Sequence, residues 1–346
     1  MNKIHITMNN KFFTYILSAL LFVFPIHLLF IFLKNLLYDL EIFKARKVDA
    51  KVVSIGNIAL GGTGKTPTTI AIANFLEKKG YAVGIVTRGH GRENISNSFL
   101  LKYHGWKECG DEVILLKNNT SSNTHIFVSL DKIYAAEQLS NMGCDIILLD
   151  DGFQHRRIHR DIDIVLLGPE NQNKKRQLIY PYGLLREPYC YLRRADITIS
   201  TKSNLIKSTN RRSDYALSLE IKKEIISSGS IKNIHDLGNK SGIISVCSIG
   251  DPESFSKTLS NINIDVSKKL VFPDHWPFSL SDIEKINRLA VKEGLKHIVC
   301  TEKDFVKLLE FKNVLNVDVN AVVMKHDLSE EIEQDILSRL KQNLHH

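Results

Sequence analysis

The sequence has few cysteines, the residues that stabilise many small secreted and metal-binding proteins. Its five cysteines are an odd number, are scattered along the chain, and include no Cys-x-x-Cys pair. Neither a disulfide framework nor a zinc site is therefore indicated, and the pattern is typical of a reducing compartment. No internal repeat is visible. With 43% hydrophobic and 24% charged residues, the composition excludes disordered, collagen-like and coiled-coil proteins.

Length and charge leave several classes of protein open. The chain has 346 residues, enough for one or two domains with buried cores. Lysine and arginine number 46 against 38 aspartate and glutamate residues, which gives a formal net charge of +8. This balance favours anionic partners such as nucleotides, phospholipid headgroups or nucleic acid, without choosing among them.

One segment, residues 12–33, contains no formally charged residue across its 22 positions. About 20 apolar residues are enough to cross a bilayer as a helix, so membrane attachment is predicted, with a buried core helix as the alternative. Pro25 and His27 interrupt the run, which leaves open whether the segment spans the bilayer or only inserts into it. The following flank is the richer in lysine and arginine, which places the rest of the chain in the cytoplasm.

The most specific motif is GGTGKT at residues 61–66, between a predicted strand and a predicted helix. Glycines allow backbone N–H groups to surround phosphate oxygens, and a helix N-terminus favours negative charge. Lys65 is expected to reach the β- and γ-phosphates of a nucleoside triphosphate, and the Thr66 hydroxyl to bind Mg²⁺. The strict pattern has glycine where this chain has Ala59. The residues assigned to the nucleotide in this loop are Gly61, Gly62, Thr63, Gly64, Lys65 and Thr66.

Two adjacent carboxylates, Asp150 and Asp151, follow the strongly apolar predicted strand 145–149. A phosphate-binding loop needs an acid at the end of a neighbouring strand to hold the metal ion or to order its water shell. The sequence therefore predicts that these two residues lie on the metal side of the nucleotide site.

Short apolar runs alternate with amphipathic stretches after residue 47, which predicts an α/β fold of the P-loop NTPase type, with a parallel sheet and helices on both faces. Residues 203–240 are rich in Ser, Lys and Asn, and a domain boundary is expected there. The predicted organisation is a membrane-associated segment at 1–47, a P-loop domain at 48–205, and a linker with a smaller C-terminal α/β domain at 206–346.

Further motifs follow in a fixed order along most of the chain. They are SIGN at 54–57, GGTGKTP at 61–67, RGHG at 88–91, GDE at 110–112, DDGFQH at 150–155, PYGLLRE at 181–187, PDH at 273–275 and TEKD at 301–304. This series closely resembles the tetraacyldisaccharide 4′-kinase family, the lipid A 4′-kinases of Gram-negative bacteria. The resemblance implies transfer of the γ-phosphate of ATP, with Mg²⁺, to the 4′-hydroxyl of tetraacyldisaccharide 1-phosphate, which forms lipid IVA.

The resemblance also implies roles for individual residues. Asp111 and His275 would form the catalytic dyad, in which a carboxylate oriented by a histidine takes the proton of the sugar hydroxyl, assisted by Lys65. Gln154 would contact ATP or the metal shell. Arg186 and Glu112 would lie on the substrate side. The chain departs from the family at Lys132, where an arginine is usual, and at His90, where a tyrosine is usual.

The expected partners are the lipid substrate and the surface of the inner membrane, with no nucleic acid and no obligate protein partner. The enzyme is expected at the cytoplasmic face of the bacterial inner membrane, because its acceptor stays in the bilayer while ATP is cytoplasmic. Two alternatives remain open at this point: a kinase for another glycolipid, and a membrane-attached P-loop ATPase that drives a partner protein.

Overall fold

The computed structural model describes residues 26–168, 178–205, 213–227, 230–238 and 242–342. Within these ranges the chain forms two sheets, one of eight strands and one of six, each packed between helices. This is the mixed α/β architecture that the alternating sequence pattern predicts.

The first sheet carries the phosphate-binding loop. Its strand order is β3-β4-β2-β5-β1-β6-β7-β8, and every neighbouring pair is parallel except β3 with β4. The central strands are apolar and buried on both faces because helices cover the sheet on each side. The strands are β1 (Lys51–Asn57), β2 (Val83–Thr87), β3 (Phe99–Leu100), β4 (His125–Val128), β5 (Ile146–Asp150), β6 (Ile162–Leu167), β7 (Ile197–Thr201) and β8 (Tyr215–Leu217).

Five helices precede or interrupt this sheet. The helix predicted directly after the phosphate-binding loop is α2. In α5 the Asp131 carboxylate caps the first turn by accepting from the backbone N–H groups of Ile133 and Tyr134. The helices are α1 (residues 26–39), α2 (Lys65–Lys78), α3 (Trp106–Cys109), α4 (Asp111–Asn119) and α5 (Lys132–Asn141).

The second sheet has the order β10-β9-β14-β13-β11-β12. Its strands are β9 (Leu219–Ser227), β10 (Ser230–Asn233), β11 (Ile243–Cys247), β12 (Lys268–Val271), β13 (His297–Thr301) and β14 (Asp318–His326). The helices around it are α6 (Ile234–Gly238), α7 (Pro252–Asn261), α8 (Leu280–Glu293), α9 (Glu302–Leu308) and α10 (Glu330–Gln342).

Two elements beyond residue 205 belong with the first sheet. Strand β8 pairs in parallel with β7. Helix α10 places Ile332, Ile336 and Leu340 in the hydrophobic core of the first sheet, so the C-terminal end of the chain returns to the nucleotide-binding half. The polar stretch 203–240, expected as a boundary, contains β8, β9 and β10. The division after residue 205 stays a proposal.

Helix α1 is the described end of the predicted membrane segment. Residues 12–25 of that segment lie outside the described residues. Nowhere in the described ranges is a helix both long enough and apolar enough to cross a bilayer. Helix α1 is nevertheless two-faced: Asn35 is fully buried, while Leu29, Phe30 and Phe32 are more than half exposed.

Candidate active site

A cavity of about 660 Å³ lies between the two sheets and receives residues from both. Its walls combine the phosphate-binding loop and the acids after β5 with loops of the second sheet. A larger, more open groove of about 870 Å³ lies elsewhere, beside Asn74 and Cys144, and contains none of the predicted site residues. The predicted residues that line the cavity between the sheets are Gly61, Gly62, Thr63, Gly64, Lys65, Thr66, Glu112, Asp150, Asp151, Arg186 and His275.

The phosphate-binding loop is held from both sides. The Asn57 side-chain amide donates to the Thr63 hydroxyl over 2.9 Å, and the Thr201 hydroxyl donates to the Thr63 carbonyl over 2.8 Å. Gly64 has a φ of 82°, a left-handed conformation that glycine adopts without strain, and α2 begins at the next residue, Lys65. The first backbone N–H groups of α2 therefore point into the loop, which is the arrangement that binds phosphate.

His326 of β14 supports this loop from behind. A Cβ atom at Gly64 would lie only 2.5 Å from Cε1 of the His326 ring. The Thr68 hydroxyl donates to the Gly64 carbonyl over 2.9 Å, so its oxygen is left to accept from Nδ1 of His326 at 2.8 Å. Burial lowers the pKa of His326 to about 4. A neutral histidine of the second sheet thus packs directly against the nucleotide loop.

Asp151 lies between two cations. The Arg186 guanidinium Nη1 is 2.8 Å from each carboxylate oxygen of Asp151, and Nζ of Lys65 is 3.8 Å from Oδ1. Burial opposes ionisation, but Lys65 and Arg186 together hold the pKa of Asp151 below its usual range. Asp151 also has a φ of 52°, which is strained for a residue with a side chain and is frequent at functional sites.

Asp150 and Lys132 are buried neighbours of Asp151. The fully buried Lys132 donates to the backbone carbonyls of both Asp150 and Asp151. Burial lowers the pKa of Lys132 to about 8. One carboxylate oxygen of Asp150 accepts from the Thr87 hydroxyl, while Oδ1 is buried with no hydrogen-bond partner in the described part of the chain. Burial, followed by repulsion from Glu112, raises the pKa of Asp150 to about 6.

Asp111 and His275 form a hydrogen-bonded pair. Asp111 is the first residue of α4, and Nδ1 of His275 lies 3.0 Å from its Oδ1 and 3.1 Å from its Oδ2. Burial opposes the charge on each residue, yet their mutual hydrogen bond lowers the pKa of Asp111 and raises that of His275. His275 has a φ of 57°, so this histidine too is held in a strained backbone conformation.

The other ring nitrogen of His275 lies near two acids that line the cavity beside it. Nε2 lies 3.8 Å from Oδ1 of Asp274 and 4.0 Å from Oε1 of Glu112, beyond hydrogen-bond length in both cases. Glu112 is instead paired with Lys303. The ring of His90 stands edge-on to His275 with a centroid separation of 4.6 Å.

Two of the predicted site residues do not line the cavity. Asp111 is connected to it through its hydrogen bond to His275. The other is Gln154. Its side-chain amide donates to the Asn57 carbonyl over 2.8 Å, and its own backbone carbonyl accepts from Lys34 of α1 over 3.0 Å. Gln154 therefore braces the strand before the phosphate-binding loop instead of lining the cavity, because its amide is already committed to the backbone.

Several residues at the site were not singled out from sequence. Lys303 faces Glu112 and Asp111 from α9 and belongs to the TEKD motif, so the motif itself could have indicated it. Lys202 pairs with Asp251 over 2.8 Å at the cavity wall, but no local pattern marks either residue. Both pairs join elements that are far apart in sequence.

These features define a P-loop protein of the kinase type: a phosphate-binding loop, acids at the end of the neighbouring strand and the histidine of a carboxylate–histidine pair share one cavity. A family model described as tetraacyldisaccharide-1-P 4′-kinase matches residues 16–341. The chain belongs to the tetraacyldisaccharide 4′-kinase family.

Individual relatives agree with this assignment. The tetraacyldisaccharide 4′-kinase of Syntrophus aciditrophicus is 34% identical over 304 residues, with 80% of each chain covered. That of Halothermothrix orenii is 30% identical over 351 residues, with 92% of this chain and 90% of the relative covered. Among solved structures, LpxK from Aquifex aeolicus, described as an apo form in complex with ATP, matches with a TM-score of 0.72 and 27% identity, over 93% of this chain and 98% of that one.

Proposed function

We propose that this protein transfers the γ-phosphate of ATP to the 4′-hydroxyl of tetraacyldisaccharide 1-phosphate and so forms the 4′-phosphorylated precursor of lipid A. The observation that carries the proposal is that the phosphate-binding loop and His275, which is hydrogen-bonded to Asp111, line one cavity. A phosphoryl donor on the loop and an acceptor hydroxyl at the histidine would thus be held next to each other.

Mg²⁺ is the metal ion that this site suits. Oδ1 of Asp150 is buried and has no hydrogen-bond partner among the described residues, which is costly unless a ligand satisfies it. Thr66 supplies a hydroxyl at the start of α2 in the same cavity. One hydroxyl, one carboxylate and nucleotide phosphates are the oxygen ligands that Mg²⁺ prefers. The bound ion would neutralise charge on the phosphates.

The positions of the side chains favour Nε2 of His275 as the proton acceptor. Asp111 is buried, and its oxygens already accept from His275 and from the backbone N–H of Glu112. His275 lines the cavity, and its Nε2 lies beyond hydrogen-bond length from Asp274 and Glu112, which line the cavity beside it. In the reaction Nε2 takes the proton of the sugar hydroxyl, the sugar oxygen bonds to the γ-phosphorus, and the bond from that phosphorus to the bridging oxygen of ADP breaks. Asp111 stabilises the imidazolium that results.

Two cationic side chains lie in the cavity, where negative charge would develop on the phosphate groups during transfer. Lys65 lies at the phosphate-binding loop and Arg186 across from it, and both are in the cavity. Their common partner, Asp151, lies between the two cations and holds both in place. We propose that both cations contact transferring phosphate groups.

We further propose that the enzyme works at the cytoplasmic face of the inner membrane. The exposed apolar side chains of α1, including Leu29, Phe30 and Phe32, support this placement. The acceptor carries acyl chains that stay in a bilayer, whereas ATP is dissolved in the cytoplasm.

The experiment that tests the function uses purified full-length protein, Mg²⁺, γ-labelled ATP and tetraacyldisaccharide 1-phosphate in mixed detergent micelles. Label on the lipid at its 4′ position supports the proposal. Release of labelled inorganic phosphate without labelled lipid contradicts it and favours a P-loop ATPase. Label on a different glycolipid supplied in parallel, with none on the disaccharide, contradicts the acceptor alone.

A further inference from the structure

Lys307 is a buried cation that contacts the carboxylate–histidine pair from behind. Only 1% of its surface is exposed. It lies on α9 of the second sheet, and its Nζ is 3.3 Å from Oδ2 of Asp111 on α4. The contact crosses from one half of the molecule to the other, to the carboxylate that also accepts from His275.

The position of the Lys307 ammonium is fixed within the second half of the molecule. Nζ is 3.1 Å from Oδ1 of Asp304 and donates to the Ser248 hydroxyl over 2.7 Å. Asp304 is fully buried and in turn accepts from the backbone N–H of Ser248 over 2.9 Å and from the Thr301 hydroxyl over 2.8 Å. A buried ammonium with three fixed oxygen partners has little freedom to move.

Asp111 is thereby held by two groups with positive character on opposite flanks. His275 approaches both oxygens, and Lys307 approaches Oδ2. Oδ1 of Asp111 also accepts from the backbone N–H of Glu112, whereas Oδ2 is bound by His275 and Lys307. Without the lysine, the carboxylate would have more freedom to rotate about its last side-chain bond, which has a broad torsional preference. The lysine removes this freedom and balances part of the carboxylate charge at a distance where protein interiors screen weakly.

We propose that Lys307 is a positioning residue for the phosphoryl transfer: it fixes the Asp111 carboxylate in the orientation that receives Nδ1–H of His275, so that Nε2 remains directed at the acceptor hydroxyl. This inference rests on the proposed function. Lys307 does not line the cavity, so it acts through Asp111 and not on the substrate.

The lysine also sets the proton affinity of His275 in a predictable direction. Burial lowers the pKa of His275, and its hydrogen bond to Asp111 raises it. Without the Lys307 ammonium the carboxylate can turn away from Nδ1, so the pKa of His275 falls and activity persists to lower pH. Lys303 remains as a second cation near the pair, which limits the size of the effect. The charged or titratable groups facing His275 are Asp111, Glu112, Asp274, Lys303 and His90.

The test is Lys307→Met, which keeps the length of the side chain and removes its charge. We expect kcat to fall by about 10- to 100-fold, because a misplaced catalytic group costs roughly that much, with KM for ATP changed less than twofold. The acidic limb of the pH–rate profile should move to lower pH. Lys312→Met, at an exposed lysine of the same half, is the matched control and should behave as wild type.

A double-mutant cycle separates positioning from simple structural support. If Lys307 acts through Asp111, adding Lys307→Met to Asp111→Asn should lower kcat less than twofold further, since coupled residues are not additive. Full additivity together with an unmoved pH profile would overturn the proposal. Lys307→Gln, which is neutral but can donate to Ser248, serves in place of the methionine variant if the latter does not fold.

NMR titration of His275 gives a reading that does not depend on the acceptor. The pKa of His275 should be lower in Lys307→Met than in wild type, because the hydrogen bond to Asp111 that raises it is weakened. An unchanged value contradicts the inference about Lys307. Absence of lipid labelling by the wild-type protein contradicts the proposed function instead, so the two failures are distinguishable.

Discussion

Nδ1 of His275 lies 3.0 Å from Oδ1 of Asp111, although 164 positions separate the two residues in sequence. One belongs to the first turn of α4, beside the first sheet, and the other follows β12 of the second sheet. The pair therefore exists only while the two halves of the molecule are in contact. Assembly of the proton acceptor in this way would limit transfer of phosphate to water when no acceptor is bound.

Asp111→Asn should remove most phosphoryl transfer and leave nucleotide binding intact. The amide cannot balance the imidazolium, and we expect kcat to fall by about 10²- to 10⁴-fold, in the range of other general acid–base residues. Binding of Mg-ATP, measured by calorimetry, should change less than twofold because Asp111 does not line the cavity. Asp265→Asn, at an exposed position, is the control. Near-normal turnover of Asp111→Asn would contradict the assignment of the pair.

The pH dependence of kcat/KM should carry the signature of His275. Nε2 must be unprotonated to accept a proton, so activity falls as pH drops through the pKa of the imidazole. Asp111 raises that pKa above the ordinary value of 6.5. The acidic limb is therefore expected above pH 6.5, and Asp111→Asn should move the residual activity toward lower pH. A limb that stays in place in this variant would mean that a different group titrates.

The sequence predicts the position of a residue in the site only where a motif or a neighbouring strand determines that position. The loop at 61–66 and the acids at the end of β5 line one cavity, as expected where the carboxyl ends of adjacent parallel strands meet at one edge of a sheet. Taken alone, Asp111 reads as a solvated loop acid, yet it is the buried first residue of α4. Gly110, with a φ of 99°, ends α3 and lets α4 begin immediately, a boundary that hydrophobic periodicity does not reveal.

Local sequence patterns do not predict contacts across the two halves; the Asp111–His275 pair was expected only from the family resemblance. Lys307 stands one helical turn after Asp304, which is an ordinary surface pattern in sequence. Its burial results from the packing of α9 against α4, and no property of either segment specifies that meeting. The same holds for His326, whose ring reaches Gly64 from a strand 262 positions further along the chain.

Phosphoryl transfer should depend strictly on Mg²⁺, and substitution of Asp150 should weaken Mg²⁺ binding. Removal of Mg²⁺ by a chelator is expected to abolish transfer, and readdition to restore it. Asp150→Asn should raise the Mg²⁺ concentration needed for half-maximal activity by about 10- to 100-fold, because the charged ligand is lost. Thr87→Val removes only the hydroxyl bound to the other oxygen of Asp150, so its effect should be smaller. Equal Mg²⁺ requirements for wild type and Asp150→Asn would place the metal ion elsewhere.

The free energy of unfolding should decrease in mild acid because His326 is buried in its neutral form. Its pKa is about 4 in the folded protein, against an ordinary value of 6.5. The unfolded chain therefore takes up a proton below pH 6.5 while the folded one does not until about pH 4, which favours unfolding by up to about 3 kcal/mol across that interval. Urea unfolding at pH 7 and pH 5 should show a smaller decline for His326→Gln than for wild type. Parallel declines would mean that other groups dominate.

Truncation of the N-terminus should have two separable effects. Arg156 Nη1 donates to the Asn35 carbonyl over 3.0 Å and pairs with Asp39 over 2.7 Å, so α1 is part of the folded structure. Removal of residues 1–25 should weaken recovery with membranes in flotation assays and leave the free energy of unfolding unchanged. Removal of residues 1–40 should in addition lower that free energy by about 2 kcal/mol or more, because buried polar partners are lost.

The comparison between the two truncations shows which part of the chain attaches the protein to the membrane. If the protein lacking residues 1–25 still floats fully with vesicles, attachment resides in α1 and other surfaces, since Leu29, Phe30 and Phe32 remain exposed in that variant. Replacing these three apolar residues with serine then provides the matched test. Their side chains are largely exposed, so this change should release the protein from vesicles without the loss of stability that removal of Asn35 and Asp39 causes.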